Sequence, residues 1–220
     1  MFAGPNGSGK SVLKSYLPEP LLGVYLNPDE IEAGILKHGF LDFREFRVET
    51  APAEVLPFFA NSDFLIHQGF GDLAARLTFA DQKLFFAPGS MNSYFASVAA
   101  DFIRGRLLDS RVDFTFETVM SHPGKVALLE KAQRAGYRTY LYFVATEDPA
   151  INASRVANRV ALGGLPYRKA KSWSVTTGLS ACCWRPSATP TAPISLIIPR
   201  IMQEAIKPGW RRSRKAGLWS

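Results

Sequence analysis

Gly4-Pro5-Asn6-Gly7-Ser8-Gly9-Lys10-Ser11 constrains this chain more than any other stretch. It places glycines at the first and sixth positions, then Lys, then Ser, which is the full spacing of a phosphate-binding loop. The chemistry needs those residue types in that order. Glycines permit a turn whose backbone N–H groups converge on an anion, and a helix start behind the turn adds its dipole. Lys10 reaches the outer phosphates, and the Ser11 hydroxyl is placed to ligate Mg²⁺. Such a loop works only between a strand and a helix, so the motif demands an α/β fold. Only Met1-Phe2-Ala3 precede it, which reads as a first strand clipped by a start site chosen too late.

The rest of the first 164 residues supplies the expected alternation. The spacing predicts a helix over Ser11 to Leu17, stopped by Pro18, and a strand over Leu21 to Leu26. Asn27-Pro28-Asp29 then opens a helix running to about Lys37. Residues from about 51 to 108 have helical spacing in several pieces and read as a helical insert. Val112 to Glu117 alternates as a strand, Ser121-His122-Pro123 looks like a helix start, and Val126 to Ala135 is amphipathic, closed by Gly136. Thr139 to Ala145 reads as a buried strand, and Asp148-Pro149 opens a helix through about Val160. This order predicts an α/β three-layer fold of the P-loop NTPase kind with a mainly parallel sheet.

Three further groups are candidates for chemistry. Asp29 follows the second strand at the carboxyl edge of a parallel sheet, where such folds bind ligands. Its carboxylate is placed either to accept a proton from a substrate hydroxyl or to cap the helix. Glu117 and Thr118 end the third sheet strand, facing the metal, its water or the substrate. Arg155 and Arg159 lie four apart on one helix face, placed either to neutralise a transferring phosphate or to form an ordinary solvated face. His38, His67 and His122 read as structural.

Composition divides the chain near Gly164. The net charge is +7, yet Leu165 to Ser220 carries 10 Lys and Arg against the single acid Glu204, and the remaining 16 basic and 18 acidic residues precede it. Basic composition alone is weak support for nucleic-acid binding. Both cysteines, Cys182 and Cys183, and all four tryptophans lie in the same tail, and the two thiols form neither a disulfide framework nor a zinc site. No apolar run is long enough to span a bilayer and no signal pattern opens the chain, so the expected location is the cytoplasm.

The first 164 residues resemble the zeta-toxin family of P-loop kinases, particularly its bacterial ATPase-like branch. Ala3 to Ser11, Leu26-Asn27-Pro28-Asp29-Glu30-Ile31, Phe116-Glu117-Thr118-Val119 and the stretch Arg155 to Gly164 carry the likeness. The resemblance implies phosphoryl transfer from ATP or GTP, with Mg²⁺, to a hydroxyl of a nucleotide sugar such as UDP-N-acetylglucosamine. It implies Asp29 as base, Glu117 and Thr118 as substrate contacts, Arg155 or Arg159 on the phosphates, and an antitoxin protein as partner. The chain departs from the family after Gly163-Gly164, where Leu165 stands in place of His. A nucleotide-binding protein without useful transfer is the alternative reading.

That departure coincides with the composition break, and a frameshift explains both. Reading the third base of each codon with the first two of the next turns Cys182-Cys183-Trp184 into Leu-Leu. The same frame lets Ser174 to Ser180 read Arg-Tyr-Tyr-Arg-Ser-Leu and lets the segment to Pro199 end in Asp-Asn-Ser. On this reading residues 165–220 are an out-of-frame translation and not a domain; a genuine disordered basic tail is the alternative.

Overall fold

A computed structural model describes residues 1–119, 124–144, 149–162 and 195–197. The fold is α/β, built on a parallel sheet. Its strands are β1 (Phe2–Ala3), β2 (Val24–Leu26), β6 (Phe114–Thr118), β7 (Tyr140–Phe143) and β8 (Ser195–Ile197). They lie in the order β2-β6-β1-β7-β8, and every neighbouring pair is parallel. β1 therefore sits at the centre with the chain's amino terminus under it. The Met1 ammonium donates to the Tyr140 carbonyl at 2.8 Å, and Tyr142 N–H donates to the Met1 carbonyl at 2.9 Å. After β1 the chain crosses to the β2 side, and after β7 to the β8 side. In open parallel sheets, ligands bind at the carboxyl ends of the strands where the connections diverge in this way.

The crossovers run through helices. β2 leads into α2 (Pro28–His38), β6 into α7 (Gly124–Arg134) and β7 into α8 (Pro149–Ala161). Between β1 and β2 stand a 3₁₀ segment, Lys10–Tyr16, and the short α1 (Glu19–Leu22). The sequence predicts an ordinary helix over Ser11 to Leu17 and a strand from Leu21, and both differ here. Pro18 bars Leu17 from the helical region, and Leu17 is extended at φ −105°, ψ 138°. Pro20 then starts a turn of helix, so the strand begins only at Val24.

Residues 40–109 form the insert, and it is not all helical. β3 (Phe40–Asp42), β4 (Thr78–Ala80) and β5 (Lys83–Phe85) make a small antiparallel sheet in the order β3-β5-β4. Its hairpin turns on Asp81 and Gln82 at φ 49° and 58°, the twist a two-residue hairpin needs. Around it lie α3 (Pro52–Ala60), α4 (Asp63–His67), α5 (Gly71–Ala74) and the long α6 (Ser93–Asp109). Phe43, Val55, Phe59, Leu65, Leu84, Phe95 and Ile103 are fully buried there. They are continuous with Ile31 and Ile35 of α2 and with Leu26 and Phe116 of the parallel sheet, so one core joins insert and sheet.

β7 is half-exposed rather than buried, with Tyr140 open to solvent, because its chief described neighbours are the strands β1 and β8. β8 comes from within the basic tail, at an apolar run from Ile194 to Ile198. Cys182, Cys183 and the four tryptophans lie outside the described residues, as does His122. No described helix is long and apolar enough to cross a membrane.

A charge cluster clamps α7 to α6. Arg104 is buried, pairs with Asp101 and lies 5.0 Å over the Phe116 ring. Lys125 reaches the same Asp101 carboxylate at 3.2 Å. Burial, reinforced by the nearby Arg104 charge, pulls the Lys125 ammonium down to about 8 from 10.5. A lysine depressed in the folded state binds fewer protons there than in the unfolded chain between those two values. Stability therefore rises as pH increases from about 8 toward 10.5. Lys125→Met, which keeps the aliphatic stem, raises the melting temperature at pH 7 by a few degrees and flattens that alkaline rise in pH-dependent melts.

Candidate functional site

The loop Gly4 to Ser11 emerges from the centre of the sheet's carboxyl edge. Its root is fixed from both sides: Gly4 N–H donates to the Thr118 carbonyl at 3.1 Å, and Val144 N–H donates to the Ala3 carbonyl at 2.8 Å. Two glycines are required by close approach as well as by conformation. Gly4 has φ +145°, and a Cβ there would lie 2.0 Å from the Val144 carbonyl oxygen; Gly7 has φ +77°, and a Cβ there would lie 2.5 Å from the Asn152 carbonyl oxygen. The loop is thereby wedged between the end of β7 and the first turns of α8.

Lys10 is only 7% exposed. Its ammonium turns into the loop and donates to the carbonyls of Gly4 and Pro5, both at 2.9 Å. Around it Asn6 Nδ2, Ser8 Oγ and Asn152 Oδ1 are buried without a hydrogen-bond partner. Buried polar groups are normally satisfied, so two orphans in the loop and one on the helix packed against it leave these groups open to further polar contacts. Ser11, next to the buried lysine, is exposed. A cationic, donor-rich turn of this kind fits phosphate oxygens. Among the described residues no group of three or more His, Cys, Asp and Glu stands together, so they hold no all-protein metal cage. A Mg²⁺ shared with phosphates needs only one or two protein oxygens.

The candidate carboxylates stand at neighbouring strands, Glu117 within β6 and Asp29 just beyond β2. Glu117 stands opposite Phe2 and Thr118 opposite Ala3, one strand from the loop root. Glu117 is 9% exposed, and the Tyr25 hydroxyl donates to its Oε1. Sheet register explains the pair. Tyr25 stands opposite Thr115, two residues before Glu117 on the same face of β6, which is a diagonal neighbour within reach of a long side chain. Burial raises the Tyr25 hydroxyl far above its ordinary range, and the hydrogen bond to Glu117 and its charge add to this. The Lys14 ammonium covers the Tyr25 ring at 4.1 Å and lies 4.0 Å from Glu30. One face of the sheet thus carries a tyrosine–carboxylate pair beneath the 3₁₀ segment.

Asp29 is exposed in the first turn of α2, just beyond β2. It is not the helix cap. Asn27 holds that position, its Oδ1 accepting from Asp29 N–H at 2.9 Å. On α8, Arg155 Nη1 donates to the Gly7 carbonyl at 3.3 Å, which brings one of the two sequence-predicted arginines onto the loop. Arg159 lies on the same helix, with its side chain outside the described residues. His38 stacks on Phe40 at 5.9 Å, and His67 Nδ1 lies 2.6 Å from the Asp63 carbonyl oxygen, both away from the loop.

Sequence spacing missed Tyr25, Lys14 and Asn152. Asn152 was signalled by standing three residues before Arg155, hence on the same helix face. Tyr25 was signalled only as the alternate position between the buried Val24 and Leu26.

Comparisons with protein-family models, with curated proteins and with solved structures returned no match for this chain.

Proposed function

We propose that this chain is a P-loop phosphotransferase: Gly4 to Ser11 grips the phosphates of ATP or GTP, and the terminal phosphoryl group passes to a hydroxyl of a small substrate. The observation that carries the reading is the Lys10 ammonium, buried inside a glycine turn at the centre of a parallel sheet's carboxyl edge. In this reading Lys10 exchanges the Gly4 and Pro5 carbonyls for phosphate oxygens. Gly7 and Gly9 leave the turn's backbone bare, Asn6 and Ser8 supply polar side chains, and Pro5 stiffens the turn. Mg²⁺, held by the Ser11 hydroxyl and the phosphates, supplies neutralisation of the charge that develops in transfer.

The remaining residues divide the work by strand. Asp29, exposed at the end of β2, receives the proton of the acceptor hydroxyl. Glu117 and Thr118 hold the acceptor at the end of β6. Arg155, on the Gly7 carbonyl at 3.3 Å, would turn to a phosphate held by the loop. Beside that proton transfer, positioning and charge neutralisation supply almost all of the catalysis in this chemistry. The resemblance to zeta-toxin kinases adds UDP-N-acetylglucosamine as the first acceptor to test and a toxin–antitoxin setting as the biological frame.

Asp29→Asn tests the division. The amide keeps the shape of the carboxylate but takes no proton. The variant binds triphosphate as the parent does and loses transfer to every acceptor in a panel of nucleotide sugars assayed with labelled ATP. Transfer at near the parent rate removes Asp29 from the mechanism. Binding without transfer in the parent itself favours a nucleotide-binding protein over a kinase.

A further inference from the structure

We propose that Asn152 is a positioning residue of the phosphate loop, forming with Asn6 a donor–acceptor pair that is open in the ligand-free protein and closes when triphosphate is bound. The inference rests on the phosphate-loop reading and adds to it a link from the loop to α8.

The two elements are keyed together at Gly7. A Cβ on Gly7 would meet the Asn152 carbonyl oxygen at 2.5 Å, so backbone lies on backbone there. One turn along α8, Arg155 donates to the Gly7 carbonyl at 3.3 Å. The two orphaned amide atoms belong to residues at this contact, Asn152 itself and the neighbour of Gly7. Asn152 is 5% exposed and its Oδ1 has no partner, while Asn6, the residue before Gly7, buries an unpartnered Nδ2. One is an acceptor and the other a donor. An unmet buried polar atom is costly, so the open arrangement is poised to relax as soon as the loop is free to shift.

Lys10 holds it open. Its ammonium ties the Gly4 and Pro5 carbonyls together at the base of the turn that carries Asn6. Phosphate oxygens are stronger partners for an ammonium than neutral carbonyls. Once Lys10 moves to them, the turn before Gly7 loses that tie. The Asn6 amide then donates to Asn152 Oδ1, and α8 with Arg155 is fixed against the occupied loop.

This predicts effects of opposite sign on affinity and on stability. Asn152→Leu, of matching shape, and Asn6→Ala each weaken Mg-ATP binding about tenfold in calorimetric titration, and the double variant is no weaker than either single one. The ligand-free melting temperature stays level or rises in all three, because a buried unmet group has been removed. A residue that merely packs would lower both together. Unchanged affinity, additive losses in the double variant, or melting temperatures that fall in step with affinity each overturn the proposal. A parent chain that fails to bind ATP ends the phosphate-loop reading and this inference with it. A parent that binds ATP and loses it in Lys10→Ala, beside asparagine variants that match the parent, ends this inference alone.

Discussion

Lys10→Ala weakens triphosphate binding at least tenfold, about 1.4 kcal/mol. The cause is specific to the place of the side chain. An exposed lysine near a phosphate is screened by water, but Lys10 is 7% exposed and enclosed by the loop it serves. Its removal leaves the phosphates without a buried cation and leaves the Gly4 and Pro5 carbonyls without their donor. Lys10→Met separates the two causes, since it keeps the stem that fills the turn. Both variants lose affinity to a similar degree in competition with a fluorescent nucleotide analogue. Retained affinity in Lys10→Met would mean that the stem, not the charge, matters.

Gly4→Ala is expected to damage the fold more than any other single change at the site. The added Cβ lies 2.0 Å from the Val144 carbonyl oxygen, and the clash is with backbone, which has no rotamer to yield. Either β7 separates from β1 or the loop leaves its root. The φ of +145° adds conformational strain for any residue with a Cβ. Together these cost about 2–5 kcal/mol, seen as a fall in melting temperature of roughly 10 °C. Gly9→Ala is the control. Its φ is +95°, but nothing lies within 4 Å of the added Cβ. It bears only the conformational cost, about 1–2 kcal/mol. Equal losses in the two variants would show that contact with β7 is unimportant.

Strands β1, β2, β6 and β7 of the parallel sheet were legible because their signals are local; β8 was not, because it lies in the segment read as an out-of-frame tail. β2 and β7 are apolar runs bounded by turn residues, β6 alternates, and Gly4 to Ser11 demanded a strand before it. Asn27-Pro28 marked the start of α2, although the capping atom proved to belong to Asn27 and not Asp29. The small sheet of β3, β4 and β5 was not legible. Its strands have three residues each, too few for alternation to speak, and its turn uses Asp81 and Gln82 at positive φ without a glycine to announce it. At the site, the loop and Glu117 could be read from motif spacing. The Tyr25–Glu117 contact spans 92 positions and exists only because β2 and β6 are neighbours. Asn152 shares a helix face with Arg155, but its place at the loop exists only because α8 rests on Gly7.

The loop and the basic tail are rival destinations for a polyanionic nucleotide, since the excess positive charge lies wholly in Leu165 to Ser220. Amide spectra of isotope-labelled protein titrated with Mg-ATP discriminate between them residue by residue. The account predicts that the largest shifts fall on the amides of Gly7, Gly9, Lys10 and Ser11, saturate at one equivalent, and vanish in Lys10→Ala. Shifts confined to the tail, or a loop whose amides stay still at saturating nucleotide, would contradict it.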